Sequence, residues 1–199
     1  MNEVAFWDAR YADMPWSSEP DEVLVQLVSP LTPGKAADLG AGTGRNAIWL
    51  ARQGWDVTAV DLSGVGLDHA ATRARSEGIA LGVVQADLME VDLKGRDYDL
   101  VVLANIHPYP HQRPELLARA ARALAVGGFL FMVGHHLDSH GRTGPPDADR
   151  LYTPERLAEA LPSTLEVVRL EAICAGKDDS AEGSLDKAVV LWARATSAP

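Results

Sequence analysis

Cysteine is nearly absent from this 199-residue chain: the single thiol, Cys174, cannot close an internal disulfide, and no cysteine set exists to frame a structural metal. A reducing, cytoplasmic setting is the expectation, with Cys174 a structural residue. Basic side chains are scarce too. Lys and Arg number 18 against 28 Asp and Glu, a net charge of −10, and such a surface repels a phosphate backbone. No nucleic-acid partner is expected. Long apolar runs are missing, and the leading Met1-Asn2-Glu3-Val4-Ala5-Phe6-Trp7-Asp8 is acidic and mixed, unlike a signal peptide or a membrane span. Neither export nor membrane contact is expected.

What remains is ordinary globular composition, with 47% apolar and 23% charged residues and no repeat. Its length suits one domain, 1–199. Short apolar runs at 35–39, 56–60, 80–85, 98–104 and 128–134 have strand length and buried-strand composition. Helical spacing occupies 44–53, 65–77 and 113–125, with Pro114 placed for a first turn. Strand and helix alternating in this way predict an α/β fold, a doubly wound and mainly parallel sheet. After a short helix at 154–161, runs at 164–171 and 187–194 have no helix between them and read as an antiparallel hairpin on the sheet edge. The first thirty residues read as two helices forming an N-terminal cap. Residues 135–150 form a polar loop after the fifth strand, either a substrate loop or a plain connector.

The sharpest local feature is Asp38-Leu39-Gly40-Ala41-Gly42-Thr43-Gly44-Arg45-Asn46, where the first strand turns into a helix. Glycines there permit a tight turn and close approach to a ligand, and a helix N-terminus favours negative groups. The dinucleotide pattern GxGxxG fails because Arg45 stands at its sixth position, which argues against a nicotinamide-dependent oxidoreductase. Asp61 ends the second strand about twenty residues after the first glycine, a placement suited to ribose hydroxyls. Asp87 follows the third strand and can meet an exocyclic amine.

These residues resemble the class I S-adenosylmethionine-dependent methyltransferases. DLGAGTGRNAIWLA is similar to their first motif, VTAVDLS to the ribose-binding element, VVQADL to the adenine-contacting element, and YDLVVLAN and LAVGGFLFMV to the fourth and fifth strands. More narrowly, GRNAIWLARQGWDVTAVDLS, with FWDARYA and EPDE ahead of it, resembles the tellurite-resistance and thiopurine methyltransferase-like group. The resemblance implies a seven-stranded Rossmann-like sheet with an antiparallel last strand, a cofactor-binding core at 35–135, and S-adenosyl-L-methionine as cofactor. It implies that Gly40, Ala41 and Gly42 pass the methionine part, Asp61 holds ribose, Leu62 and Leu88 flank adenine, Asp87 meets its amine, and Asn105 lies near the sulfonium. Arg45 and Asn46 either contact the cofactor carboxylate or support the loop. Trp7, Arg10, Tyr11 and Trp16 are cap candidates, either over the cofactor or packed on the sheet.

Five of the six histidines lie after the fourth and fifth strands: His107, His111, His135, His136 and His140. Their chemistry suits base catalysis or substrate contact more than metal binding, since no cysteine joins them and the spacing matches no standard site. His107 is the first candidate for the base, followed by Tyr109 and His135. The expected activity is methyl transfer to a small-molecule S, O or chalcogen nucleophile by a monomer or homodimer. The alternative is a cofactor-binding regulator or scaffold without turnover.

Overall fold

The computed structural model describes residues 2–13, 16–93, 97–174 and 186–196. In chain order these form α1 (Glu3–Asp13), α2 (Glu22–Val28), β1 (Lys35–Leu39), α3 (Arg45–Arg52), β2 (Asp56–Asp61), α4 (Gly64–Ser76) and β3 (Gly82–Gln85). β4 (Tyr98–Ala104), α5 (Arg113–Ala123), β5 (Leu124–His135), α6 (Pro154–Ala158), β6 (Leu165–Cys174) and β7 (Lys187–Ala195) follow. The seven strands lie in the order β3-β2-β1-β4-β5-β7-β6. Only β7 runs against its neighbours, pairing antiparallel with both β5 and β6. The expected α/β architecture, with the late hairpin added at the edge, is what the chain forms. No helix among the described residues is long and apolar enough to cross a membrane.

Strand side chains alternate between the two sheet faces, and each face carries its own core. Along β4, Leu100 and Val102 join Leu24, Ala47, Leu50 and Leu67, beneath α2, α3 and α4. Val101 and Leu103 point the other way and join Leu116, Leu117 and Ala120 of α5 and Leu157 of α6. Because both faces are covered, the central strands read as continuous apolar runs.

Two expectations about boundaries change. β5 starts at Leu124 rather than 128, because the chain pairs Leu124 with Tyr98, bulges, and resumes with Phe129 opposite Leu100. Of the two cap helices only α1 has no buried residue. α2 is a core helix: Leu24 and Val28, one turn apart, are 0% and 1% exposed. The EPDE segment explains how it is set. Asp21 caps α2, accepting from the Val23 and Leu24 N–H groups, and its own N–H donates to Asn46 Oδ1 at 2.9 Å.

Asn46 is buried and is the partner of that long-range bond. Leaving the Asp21 N–H without an acceptor costs about 1–3 kcal/mol. Asn46→Ala is therefore expected to lower the unfolding free energy by that amount, read as a lower urea midpoint at unchanged m; an unaltered midpoint would show the bond to be dispensable.

Candidate functional site

β1 has β2 on one side and β4 on the other, so the chain reverses its direction of winding between β1 and β4. In such sheets the crevice beyond the strand ends at this switch point is where ligands bind. Two loops meet there, the glycine loop after β1 and the segment after β4.

The glycine loop is held from the neighbouring strand. Gly40 N–H and Ala41 N–H both donate to Val60 O at 2.7 and 3.0 Å, and Gly42 N–H donates to Asp61 Oδ2 at 2.8 Å. Gly40 (φ 78°) and Gly42 (φ 52°) occupy the left-handed region, which side chains other than hydrogen rarely enter. Space matters as well as angle. A Cβ on Gly40 would run into the Ile106 side chain, and one on Gly42 would lie 2.6 Å from the Tyr11 hydroxyl.

Asp61 is 6% exposed, and its second oxygen accepts from Ser63 N–H at 2.8 Å. Burial pushes its pKa up, with the Asp8 charge adding to the rise and the bonds from Ser63, Gly42 and Leu62 opposing it. It sits where the spacing put it, yet it also braces the loop. Asp38, the acid that opens the glycine motif, is a second buried carboxylate at this site. It is 1% exposed; Oδ2 accepts from Ala47 N–H at 3.0 Å, while Oδ1 is buried without a partner. Burial pushes its pKa up to about 7, against the pull of Arg45 and the Ala47 N–H, with the Asp61 charge adding to the rise. A buried carboxylate oxygen with no donor is an open position for a cationic group. Only burial identifies it; the sequence shows no more than an acid before the glycines.

The other expected cofactor residues divide. Tyr11 lies against Gly42 and Gly66, with its pKa raised by burial and by Asp61 and Asp38. Trp7 stacks on Tyr11 with ring centres 5.9 Å apart. Arg10 is turned away: it is exposed, and its guanidinium lies 5.6–5.8 Å from the ring centres of Phe6, Trp7 and Trp16. α1 is pinned by Asp8, which accepts from the Ser63 hydroxyl at 2.5 Å and from Val65 N–H at 3.3 Å, at the start of α4. Asn46 Oδ1 is taken by the Asp21 N–H at the start of α2, and Arg45 reaches Glu19 O at 3.4 Å. Leu62 and Leu88 are half-buried at successive strand ends, with Leu88 Cδ1 3.9 Å from the Cβ position of Gly40. Asp87 closes a local turn by accepting from Met89 N–H at 2.8 Å.

On the other side of the crevice, Asn105 is exposed and holds a left-handed φ of 59°, unusual for a residue with a side chain. Three consecutive carbonyls fix the segment that follows. Asn105 O bonds to His107 Nδ1 at 2.9 Å, Ile106 O accepts from the Tyr152 hydroxyl at 2.6 Å, and His107 O accepts from Arg150 Nε at 2.6 Å. Arg113 joins the same lock, donating to Asp149 O and, at 3.1 Å, to Leu151 O, with its guanidinium 4.7 Å from the Tyr152 ring centre. The polar loop is therefore tied down at its 147–152 end. It includes two short 3-10 turns, at Leu137–Ser139 and Ala148–Arg150.

This arrangement argues against His107 as the base. His107 is 8% exposed, and its Nε2 accepts from His135 N–H at 3.0 Å while Nδ1 is bonded to Asn105 O. Burial pushes its pKa down to about 3, with the His135, Arg150 and Arg113 charges lowering it further. Neither nitrogen is free to take a substrate proton. Tyr109 is 45% exposed and lies on the outside of the loop, beneath Arg150 at 4.9 Å and stacked beside His111. His135 is half-buried at the end of β5, with Nδ1 3.2 Å from His107 Nε2.

Comparison with known proteins adds the following. A family model described as "Methyltransferase domain" matches residues 36–128. Ribosomal RNA small subunit methyltransferase C of Alcanivorax borkumensis is 33% identical over 111 residues, 52% of this chain and 33% of that protein. Ubiquinone biosynthesis O-methyltransferase of a Caulobacter species is 30% identical over 105 residues, 52% of this chain and 42% of that protein. The chain thus spans well under half the length of these relatives. Among solved structures, one described under the conversion of a disulfide bond into a thioacetal group during echinomycin biosynthesis superposes with a TM-score of 0.79. It shares 20% identity and covers 98% of this chain and 93% of its own, a likeness of fold.

The raised pKa of Asp38 gives a stability test. Between the ordinary carboxylate range and about 7 the folded chain keeps a proton there that the unfolded chain loses, so this group lowers stability as pH rises through that window. Asp38→Asn is expected to gain on the wild type from about pH 4 to about pH 7 and to hold that gain above it, read from thermal melts. A constant difference across that window would contradict the burial of an unpaired acid.

Proposed function

The chain belongs to the class I S-adenosylmethionine-dependent methyltransferases, and from that premise we propose that it methylates a small molecule bearing an S, O or chalcogen nucleophile. S-adenosyl-L-methionine is the cofactor of this family. The observation that carries the cofactor side is the pairing of a braced glycine loop with the unpartnered oxygen of Asp38. In this reading Asp38 takes the cofactor's ammonium. Gly40, Ala41 and Gly42 line its methionine part, Asp61 offers its remaining lone pairs to the ribose, and Asp87 with Leu62 and Leu88 receives the adenine. Tyr11 and Trp7 cover it from α1. Bound there, the cofactor supplies a sulfonium methyl group.

The chain's own task is then alignment, exclusion of water and, for a protic acceptor, removal of a proton. The acceptor lies between α1, the 105–111 segment and the 135–150 loop. Support for a small acceptor comes from the −10 charge, which disfavours a polyanion. An O-methyltransferase among the relatives fits this reading. A ribosomal RNA methyltransferase among them makes RNA a necessary control.

Calorimetry with S-adenosylhomocysteine is expected to give micromolar binding, weakened at least tenfold by Asp61→Ala and by Asp38→Ala. Turnover is then assayed on thiols, phenols, chalcogen oxyanions and a ribosomal RNA transcript. Methylation of a small acceptor is the expected outcome. Binding without turnover on any of them would favour a regulator or scaffold, and RNA methylation alone would replace the small-molecule reading.

A further inference from the structure

The two rings that meet behind the 135–150 loop differ in what they can do, and backbone geometry decides which. His107 Nε2 faces the His135 N–H at 3.0 Å, so it must carry a lone pair; its proton is on Nδ1, donated to Asn105 O at 2.9 Å. His135 Nδ1 stands 3.2 Å from that same lone pair. Two lone pairs facing each other would repel, so His135 Nδ1 carries a proton and donates it. The remaining nitrogen, His135 Nε2, is left with a lone pair that no donor among the described residues meets.

The geometry points to His135 Nε2 as the base that deprotonates the methyl acceptor, with His107 a positioning residue that fixes the tautomer and orientation of the His135 ring. The inference rests on the methyl-transfer reading above and narrows the acceptor to one with an ionisable X–H, a phenol or a thiol, since a chalcogenide anion needs no base. The proton passes from X to Nε2. The pair left on X forms the bond to the methyl carbon, and the carbon–sulfur pair returns to sulfur, leaving the neutral thioether. The imidazolium then loses its proton to water.

The surroundings suit this role. The charged group facing the His135 ring is Asp186, just ahead of β7, which raises its proton affinity while burial lowers it more. Asp186 is itself held by Arg142 at 3.1 Å, so its charge is shared. Arg150 and Arg113 face His107 and oppose its protonation. Burial thus favours the neutral ring, the form in which Nε2 can take a proton. Tyr152 and Arg150, bound to the carbonyls of Ile106 and His107, hold the ring pair against the strand ends.

Nitrogen-15 NMR of the histidine rings in the cofactor-free protein tests the assignment without any turnover. The expected result is His135 in the Nδ1–H form, titrating below the ordinary histidine value, and His107 not titrating between pH 5 and 9. In His107→Gln or His107→Phe the His135 ring is expected to shift toward the commoner Nε2–H form. Diethyl pyrocarbonate, mapped by mass spectrometry, should acylate His135 and spare His107. A His135 ring in the Nε2–H form in the wild type, or faster acylation of His107, would overturn the proposal.

In turnover with substituted phenols, His135→Gln should lose at least about 100-fold in kcat. With thiophenolate, already ionised at pH 8, it should lose less than about threefold, and S-adenosylhomocysteine affinity should stay within about threefold. Equal losses on both acceptors would also reject the base. Failure of the wild type to bind S-adenosylhomocysteine would instead strike the functional reading while leaving the ring assignment standing, so the two failures are told apart.

Discussion

A turn built on successive left-handed glycines has little of its own to keep it in one shape, and here the constraint comes from the next strand. Parallel pairing of β1 with β2 sets Leu39 beside Val60, which places Asp61 level with the glycines that follow Leu39. The Asp61 carboxylate then takes the Gly42 N–H, and the Val60 carbonyl takes those of Gly40 and Ala41. Three neighbouring elements rest on this loop. Tyr11 of α1 rests on Gly42, Ile106 of the β4–α5 segment rests on Gly40, and Ala70 of α4 packs against Gly44. Charge-assisted bonds from a carboxylate to backbone N–H groups are about twice as strong as neutral ones, so a single acid can hold a mobile kind of turn in a fixed relation to three other elements.

The acceptor side is held on a different plan. No glycine motif shapes it; the segment after β4 is irregular and passes through a strained Asn105. Its carbonyls at 105, 106 and 107 are satisfied one by one by side chains, two of which arrive from more than forty residues away. Buried backbone carbonyls must find partners, and when neither strand nor helix supplies them a conformation persists only if side chains do. Arg150 and Tyr152 therefore do for this side what Asp61 does for the other.

That difference explains what could be read from the residues alone. The strands at 35–39 and 98–104, the glycine turn and the placement of Asp61 follow from local spacing, and the structure has them there. The start of β5 does not follow, because Gly127 and Gly128 look like the end of a turn when they lie within a bulge of a strand that has already paired at Leu124. The membership of α2 in the core was hidden because seven residues carry too little periodicity, and its anchor, Asn46, is a partner found only in three dimensions. His107 was the natural choice of base by type and position. What disqualifies it is a backbone N–H contributed from 28 residues away, and no reading of neighbouring residues supplies that. Asp38 is the converse case, an acid whose importance lies in what fails to bond to it.

The two acids also act on each other. Asp61 raises the proton affinity of Asp38, Asp8 raises that of Asp61, and both site acids push up the Tyr11 phenol. The Arg45 charge eases Asp38 and the Arg10 charge eases Tyr11, while the Arg45 guanidinium itself turns to the Glu19 carbonyl. The crevice thus gathers acids whose ionised forms are disfavoured by burial and by one another, an arrangement that is relieved when positive charge arrives. A ligand with both a sulfonium and an ammonium brings two such charges. The same acids repel a phosphate group, so the features that suit this loop to a methyl-donating nucleoside disfavour a phosphorylated dinucleotide, in agreement with the absence of the sixth-position glycine that such a ligand requires at Arg45.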